Sequence, residues 1–99
     1  PGFETPGFRE YRMALDNEKF NKLISCVENL NGVIASDESL GEGFCIGHSY
    51  FCNLQPDTIN GDWLYGVVEY ELIPLLKEYW FDEPMKVKDW SENLRSTIK

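Results

Sequence analysis

Residues 20–34, which read FNKLISCVENLNGVI, decide the fold. Apolar side chains recur in this stretch at steps of three or one, which is the spacing of a single stripe along an α-helix. The stripe consists of Phe20, Leu23, Ile24, Val27, Leu30, Val33 and Ile34. We therefore predict an amphipathic helix that buries this face against other helices.

A shorter helix is predicted on the N-terminal side of this stretch. Thr5 followed by Pro6 is a helix-start signal, because threonine caps a helix and proline fits its first position. The helix should run from about Pro6 to Leu15. Asp16-Asn17 should then end it and cap the next helix.

Two more helices are predicted in the C-terminal half. Asp62 is the expected N-cap of the first, which should kink or restart at Pro74, because proline cannot donate to the carbonyl of Tyr70. The sequence Asp82-Glu83-Pro84 should open the last helix. Its expected buried seam is Val87, Trp90, Leu94 and Ile98.

Between the helices, the chain is rich in glycine and polar residues. Residues 36–43 (SDESLGEG) are predicted to form a loop. Phe44–Ile46 should form a short extended segment, and Gly47 should begin a turn that could open a short helix. Another loop follows, with Asn60-Gly61 as its turn signal.

The composition is typical of one acidic globular domain. With 99 residues, the chain is long enough for one core, and we predict a single, mainly α-helical domain over residues 1–99. The formal net charge of −8 disfavours direct binding to nucleic acid or to anionic membranes. No apolar run is long enough to cross a bilayer, no secretory signal is visible, and three cysteines favour reduced thiols. We expect a cytoplasmic location.

The sequence offers no complete phosphate-binding loop. The pattern G-x-x-x-x-G-K-[ST] is absent, and the spacing of Gly41, Gly43 and Gly47 is one residue too long for a dinucleotide fingerprint. The 54 residues from Leu23 to Leu76 contain no Lys or Arg. This segment therefore cannot clamp a triphosphate by itself, since only His48, backbone amides and helix N-termini could donate to it.

Cys45, His48 and Cys52 are the residues that could bind a metal ion or take part in catalysis. Thiolate and imidazole ligands suit zinc, with Cys26 as a conceivable fourth ligand, but the spacing lacks paired knuckles. We favour small buried thiols beside a polar histidine and predict no metal site. Ser49 next to His48 is not a catalytic dyad, because sequence neighbours rarely point at each other, and no catalytic residue is assigned.

Tyr79, Trp80 and Phe81 form an aromatic cluster at the end of the third predicted helix. Such a cluster usually packs between helices, although it can also form a surface for a partner. We assign these three residues as a candidate partner surface.

Three stretches together resemble the C-terminal end of the McrB family. They are PGFETPGFREY (residues 1–11), GEGFCIGHSYFC (residues 41–52) and IPLLKEYWFDEP (residues 73–84), in this order and followed by a helix that contains tryptophan. The resemblance spans nearly the whole chain. The resemblance implies that the chain comes from an AAA+ NTPase. Proteins of this family form the motor subunit of a restriction system that recognises DNA containing 5-methylcytosine.

The resemblance also implies what this chain contributes. It resembles the small helical lid, here a four-helix bundle, that follows the large α/β subdomain of an AAA+ protein. The family hydrolyses GTP, or in relatives ATP, with Mg²⁺, forms hexameric rings and is stimulated by the nuclease McrC. By this resemblance the partners would be the α/β subdomain, neighbouring subunits and an McrC-like nuclease, and the fragment would hold no cofactor of its own.

A site is carried over from the resemblance with one departure. Related lids begin a helix with a G-x-S-x-R-like string whose arginine reaches the γ-phosphate, and here Phe51 stands in the place of that arginine. We therefore carry over only contacts with base and ribose, from Ile46, Gly47, His48 and Tyr50. His48 is the leading polar contact, with a capping or packing histidine as the other interpretation.

Two functions are compared. The first is the C-terminal lid of an McrB-like GTPase or ATPase, inactive alone, in which case residues 1–99 are a fragment of a longer AAA+ protein. The alternative is a free-standing acidic helical domain for protein–protein interaction. A phosphate-loop motif about 200–250 residues upstream would favour the first, as one α/β subdomain of usual size predicts.

Overall fold

The structure is a computed structural model that describes residues 3–52 and 54–99. In this part of the chain five α-helices follow one another and no strand is present. They are α1 (Pro6–Leu15), α2 (Glu18–Ser36), α3 (Gly61–Gly66), α4 (Ile73–Tyr79) and α5 (Pro84–Thr97). The predicted mainly α-helical fold is confirmed. None of the helices in the described ranges has the length and hydrophobicity needed to cross a bilayer.

The start of α1 and the junction with α2 follow the prediction. The Thr5 hydroxyl accepts a hydrogen bond from the Phe8 N–H at 3.4 Å. Asp16 ends α1 in the left-handed region with a φ of 46°. Asn17 then caps α2, since its side-chain oxygen accepts from the Phe20 N–H at 2.9 Å.

Helix α2 is the central element of the core. Its stripe is buried as predicted at Phe20, Leu23, Ile24, Val27, Leu30 and Ile34, whereas Val33 is half-buried at the edge. α5 packs along α2 and also contacts α4. Leu94 is the buried anchor of α5, with Val87, Trp90 and Ile98 half-buried around it. The predicted seam of the last helix therefore faces the core.

The third predicted helix is interrupted before Pro74. Residues Val67–Leu72 form a π-helical segment between α3 and α4, and the Ile73 N–H donates to the Val68 carbonyl five residues earlier. Because Pro74 has no N–H to continue the α-helical ladder, the wider turns lead into a restart at Ile73. The predicted interruption is confirmed. The predicted N-cap Asp62 is wrong by two residues, because the Asn60 side chain accepts from the Trp63 N–H at 3.0 Å.

The segment between α2 and α3 contains two short 3₁₀ turns, Glu42–Phe44 and His48–Phe51. The second agrees with the short helix anticipated after Gly47. The first corrects the extended segment predicted for Phe44–Ile46, because Gly41, with a φ of 88°, starts a turn that Phe44 completes. Extended backbone begins only at Cys45, with φ −60° and ψ 142°.

Candidate functional site

A concave region lies between the N-terminal half of α1 and the second 3₁₀ turn. We call it the α1 cleft; its volume is about 540 Å³ and it is open to solvent. Its lining residues are Thr5, Gly7, Phe8, Tyr11, His48, Cys52, Leu54 and Gln55. This volume is within the range of about 300–1,000 Å³ that is usual for small-molecule sites. It is therefore the candidate binding site near the residues that the sequence singled out.

His48 is fixed on one wall of the α1 cleft. Its imidazole stacks on the Phe8 ring with centroids 5.7 Å apart and an interplanar angle of 24°. Nδ1 lies 3.5 Å from the Cys52 sulfur, and the Cys52 thiol donates to the His48 carbonyl at 3.3 Å. Nε2 has no hydrogen-bond partner within the described part of the chain. His48 can therefore offer one ring nitrogen to a ligand while its ring stays stacked.

Tyr11 forms hydrogen bonds with the backbone of Phe51 and of Leu54, and Leu54 lines the cleft. Its hydroxyl donates to the Phe51 carbonyl at 2.7 Å and accepts from the Leu54 N–H at 2.8 Å. Burial raises the pKa of Tyr11, so the phenol stays protonated and able to donate at neutral pH. Sequence reasoning did not assign Tyr11 this bridging role.

Asn31 performs a similar function on the opposite side of the second 3₁₀ turn. Its side-chain oxygen accepts from the Ile46 N–H at 2.7 Å, and its amide nitrogen donates to the Ile46 carbonyl at 2.8 Å. The Cys45 thiol donates to the Asn31 backbone carbonyl at 3.5 Å. The backbone groups that a strand partner would have bonded are therefore satisfied by one side-chain amide. Sequence reasoning missed Asn31, although it lies four residues after Val27 on the buried stripe.

The α1 cleft is lined without any charged side chain among the described residues. The two arginines of α1 are engaged elsewhere. Arg9 pairs with Glu4 at 2.7 Å, and Arg12 hydrogen-bonds Asn21 at 3.2 Å and lies 3.7 Å from Glu28. Burial raises the pKa of Glu28 in spite of this pairing. The cleft can therefore contact a neutral ring system, but it provides no counter-charge for phosphate.

The structure separates the four predicted nucleotide contacts. His48 lines the α1 cleft. Ile46 is 3% exposed and both of its backbone polar groups are used by Asn31, so it belongs to the core. Gly47 and Tyr50 are half-buried outside the cleft lining, and Tyr50 lies near Tyr79. The four residues therefore do not share one surface, since Ile46 lies in the core and only His48 lines the cleft; contact with nucleotide stays a prediction.

The predicted partner surface is also divided. Trp80 is 1% exposed, and its indole N–H donates to an Asp37 carboxylate oxygen at 2.9 Å, so its assignment to a surface is wrong. Tyr79 is half-buried against Phe44, with ring centroids 5.4 Å apart. Burial, followed by the neighbouring Tyr50, raises the pKa of Tyr79. Phe81 is 81% exposed and remains available to a partner.

The three cysteines do not share one environment. Cys26 and Cys45 are half-buried, and burial raises the pKa of Cys26. Cys52 is exposed beside His48, which corrects the expectation of a buried thiol there. Within residues 3–52 and 54–99, no three His, Cys, Asp or Glu side chains converge to hold a metal ion.

Residues from the three distinctive sequence stretches meet in the fold. Phe8 of the first stretch stacks on His48 of the second, and Phe44 of the second packs against Tyr79 of the third. Pro1 and Gly2, which open the first stretch, lie outside the described residues. The stretches are therefore connected through contacts around the two 3₁₀ turns.

Comparison with known proteins gives a consistent result. A protein-family model described as "McrB, alpha-helical lid domain" matches residues 22–88. The chain is 39% identical over 102 aligned residues to a curated relative, the "Type IV methyl-directed restriction enzyme EcoKMcrB subunit" of Escherichia coli strain K12. The alignment covers 95% of this chain but only 22% of the relative. The chain thus spans about a fifth of the length of that relative.

Proposed function

The chain belongs to the McrB alpha-helical lid domain family, and on that premise we propose that it closes over a nucleotide bound mainly by an α/β subdomain outside this sequence. The longer protein would be an AAA+ GTPase or ATPase that serves a methyl-directed DNA restriction system. One observation carries the proposal. The α1 cleft presents a stacked imidazole in a wall to which the described residues contribute no Lys, Arg, Asp or Glu side chain.

The charge distribution supports a division of labour between two subdomains. A nucleoside triphosphate needs cations or a metal ion for its phosphates, whereas its base and ribose need an apolar surface with a few hydrogen-bonding groups. The α1 cleft offers only the second kind of surface. The phosphates and Mg²⁺ would therefore be held by the α/β subdomain, while this chain covers the base and ribose.

In this proposal the chain acts by position rather than by chemistry. Closure of a lid excludes water and completes the site, and its motion relative to the larger subdomain converts nucleotide turnover into rotation. His48 would contact the base or ribose through Nε2, with Phe8 holding the ring in place. Neighbouring subunits of a hexamer and an McrC-like nuclease would respond to this motion. The predicted cytoplasmic location remains a prediction.

A deletion tests the proposal. Removing residues 1–99 from the longer protein should abolish GTP and ATP hydrolysis, because the base would lose its cover and water would enter the site. The 99-residue chain alone should hydrolyse neither nucleotide. Undiminished hydrolysis after the deletion, or clear turnover by the chain alone, would contradict the proposal. Circular dichroism of the isolated chain checks that it is folded when turnover is measured.

The exposed Phe81 favours a second candidate, a free-standing domain for protein–protein interaction. The genomic sequence upstream of residue 1 separates the two candidates. A continuous reading frame with a phosphate-loop motif about 200–250 residues upstream supports the lid, because that distance corresponds to one α/β subdomain. An initiating Met directly before Pro1 supports the free-standing domain.

A further inference from the structure

A second concave region lies between α4 and α5, and its lining differs from that of the α1 cleft. We call it the α4–α5 groove; its volume is about 450 Å³. Apolar side chains make up much of its lining, including those of Ile73, Trp80, Phe81 and Val87. Phe81 is 81% exposed and stands at the rim. The groove therefore leaves apolar surface uncovered at a place that the nucleotide proposal does not use.

The groove also contains a buried hydroxyl group without a partner. Ser91 lines it and is only 4% exposed. Its Oγ is the one buried side-chain oxygen or nitrogen in the described residues that has no hydrogen bond. Buried hydroxyls are nearly always bonded, because an unmade hydrogen bond is costly in a poorly solvated place. Oγ itself is almost fully enclosed, so a bound molecule could complete this hydrogen bond once a small side-chain movement opens the floor of the groove.

Positive charge surrounds the same groove. Three of the nine basic residues of this acidic chain line it, namely Lys77, Lys88 and Arg95. Arg95 is occupied by Glu69, with which it forms hydrogen bonds of 2.6 and 2.9 Å. Lys88 lies 3.9 Å from Glu92, but both side chains are exposed and such a pair is weak. Lys77 and Lys88 are therefore the cations that a bound molecule would meet.

From these observations we propose that the α4–α5 groove binds an acidic peptide segment of another polypeptide. An apolar side chain of the segment packs between Phe81 and Val87, and its flanking carboxylates pair with Lys77 and Lys88. The segment supplies the missing hydrogen bond to Ser91 Oγ. A peptide fits better than a nucleic acid, because the groove has an apolar floor for one of its side chains, whereas only three basic side chains of the described residues line it, too few for a phosphate backbone.

Fluorescence anisotropy with a defined probe tests this proposal. The probe is a fluorescein-labelled hexapeptide with Leu-Phe at its centre and Asp-Glu on each side, and the control peptide carries Lys in place of the acids. The 99-residue chain should bind the acidic peptide saturably and the basic peptide far more weakly. The double variant Lys77→Glu/Lys88→Glu should weaken acidic-peptide binding at least about tenfold. Lys19→Glu/Lys22→Glu, the matched control on α2, should change it less than about twofold.

Ser91→Ala separates recognition from folding. It removes the hydroxyl, so peptide affinity should fall about threefold to tenfold, the effect of one hydrogen bond. The urea midpoint should stay unchanged or rise, because the variant also removes an unbonded buried group. Ser96→Ala, on the same helix outside the groove, should leave affinity unchanged.

Four results would overturn the proposal. They are absence of saturable binding, equal binding of the basic peptide, loss of binding by the α2 control variant, and unchanged affinity in both groove variants. Binding of duplex DNA that depends on Lys77 and Lys88 would identify another occupant. Concentration-dependent dimerisation abolished by Phe81→Ala would do the same for a second copy of the chain.

Discussion

The α1 cleft and the α4–α5 groove are similar in volume and opposite in character. The described lining of the cleft contains no Lys, Arg, Asp or Glu, and side-chain hydrogen bonds from Tyr11 and Asn31 hold the backbone that forms its wall. The groove has three basic side chains at its edge, and the Ser91 hydroxyl inside it has no partner among the described residues. Side-chain hydrogen bonds hold the backbone of the cleft wall, whereas the groove contains a buried hydroxyl that has none among the described residues.

The difference indicates two kinds of ligand. A wall without Lys, Arg, Asp or Glu among its described residues is suited to covering the flat, neutral part of a ligand whose charge is bound elsewhere. A groove lined by exposed lysines and a hydroxyl without a hydrogen bond is suited to a ligand that brings carboxylates and a hydrogen-bonding group. Variants that damage one region while sparing the other test this contrast, and peptide binding at the groove serves as the second readout.

The largest effect is expected for Phe51→Ala, which removes the anchor of the second 3₁₀ turn. Phe51 is fully buried, and its ring lies 5.8–6.5 Å from those of Phe3, Phe20 and Trp63. The free energy of unfolding should fall by about 3–5 kcal/mol, as for other buried phenylalanines. Urea denaturation followed by circular dichroism measures it.

The matched control for that variant is Phe81→Ala at the rim of the groove. Because this side chain is exposed, the free energy of unfolding should change by less than about 0.5 kcal/mol. Equal destabilisation by the two variants would contradict the packing described for the cleft.

A smaller effect is expected for Asn31→Ala, which breaks both hydrogen bonds to Ile46. The buried N–H and carbonyl of Ile46 would lose their partner, so the free energy of unfolding should fall by about 2–3 kcal/mol. Asn29→Ala, exposed on the same helix, provides the control in the same urea titration. If the two variants behave alike, Asn31 does not hold the 3₁₀ turns in place.

Tyr11→Phe is expected to be milder, because it removes only one hydroxyl. The loss of its bonds to Phe51 and Leu54 should lower the free energy of unfolding by about 1–2 kcal/mol. Amide hydrogen exchange should become faster at Leu54, while binding of the acidic peptide at the groove stays the same. Tyr65→Phe, at an exposed tyrosine, is the control. Unchanged exchange at Leu54 in Tyr11→Phe, or equally fast exchange at Leu54 in Tyr65→Phe, would contradict the bridging role of Tyr11.

The smallest effect is expected for Asp37→Asn, which should alter the pH dependence of stability. The Trp80 indole N–H, followed by the Ser39 backbone N–H, holds the pKa of Asp37 below its ordinary value of 3.8. A carboxyl whose pKa is lower in the folded state stabilises the fold at pH values above its unfolded pKa. This stabilisation is lost as the pH falls through the folded pKa. The urea midpoint of Asp37→Asn should therefore drop less between pH 6 and about pH 3 than that of the unmodified chain. The control is Asp57→Asn, in an exposed loop, and its urea midpoint should drop over this pH range as much as that of the unmodified chain.

The sequence was sufficient for the elements whose signals are local. The stripe of α2, the cap at Thr5 and the interruption at Pro74 are set by side-chain spacing and by backbone chemistry within a few residues, and all three were predicted. The caps show the limit, since Asn60 and Asp62 are both good N-caps and only the three-dimensional course of the chain decided for Asn60.

Long-range polar contacts could not be predicted in the same way. Asn31 and Ile46 are fifteen positions apart, and Trp80 and Asp37 are forty-three apart. Nothing in local spacing indicates that an amide will substitute for a strand partner, or that an aspartate will draw a tryptophan into the core. For this reason Ile46 was assigned to nucleotide contact and Trp80 to a partner surface although both side chains are buried. The assignment of His48 to nucleotide contact stays a prediction, and the residue lines the candidate cleft.

The most direct test of the account is the nucleotide kinetics of His48→Ala in the longer protein. If the α1 cleft covers the base and ribose, KM for GTP or ATP should rise about threefold to tenfold, the loss expected for one hydrogen-bonding contact. Ser49→Ala, at the exposed neighbouring position, should leave KM unchanged. An unchanged KM in His48→Ala, with the Ser49→Ala control behaving as expected, would show that His48 only packs against Phe8 and would contradict the account.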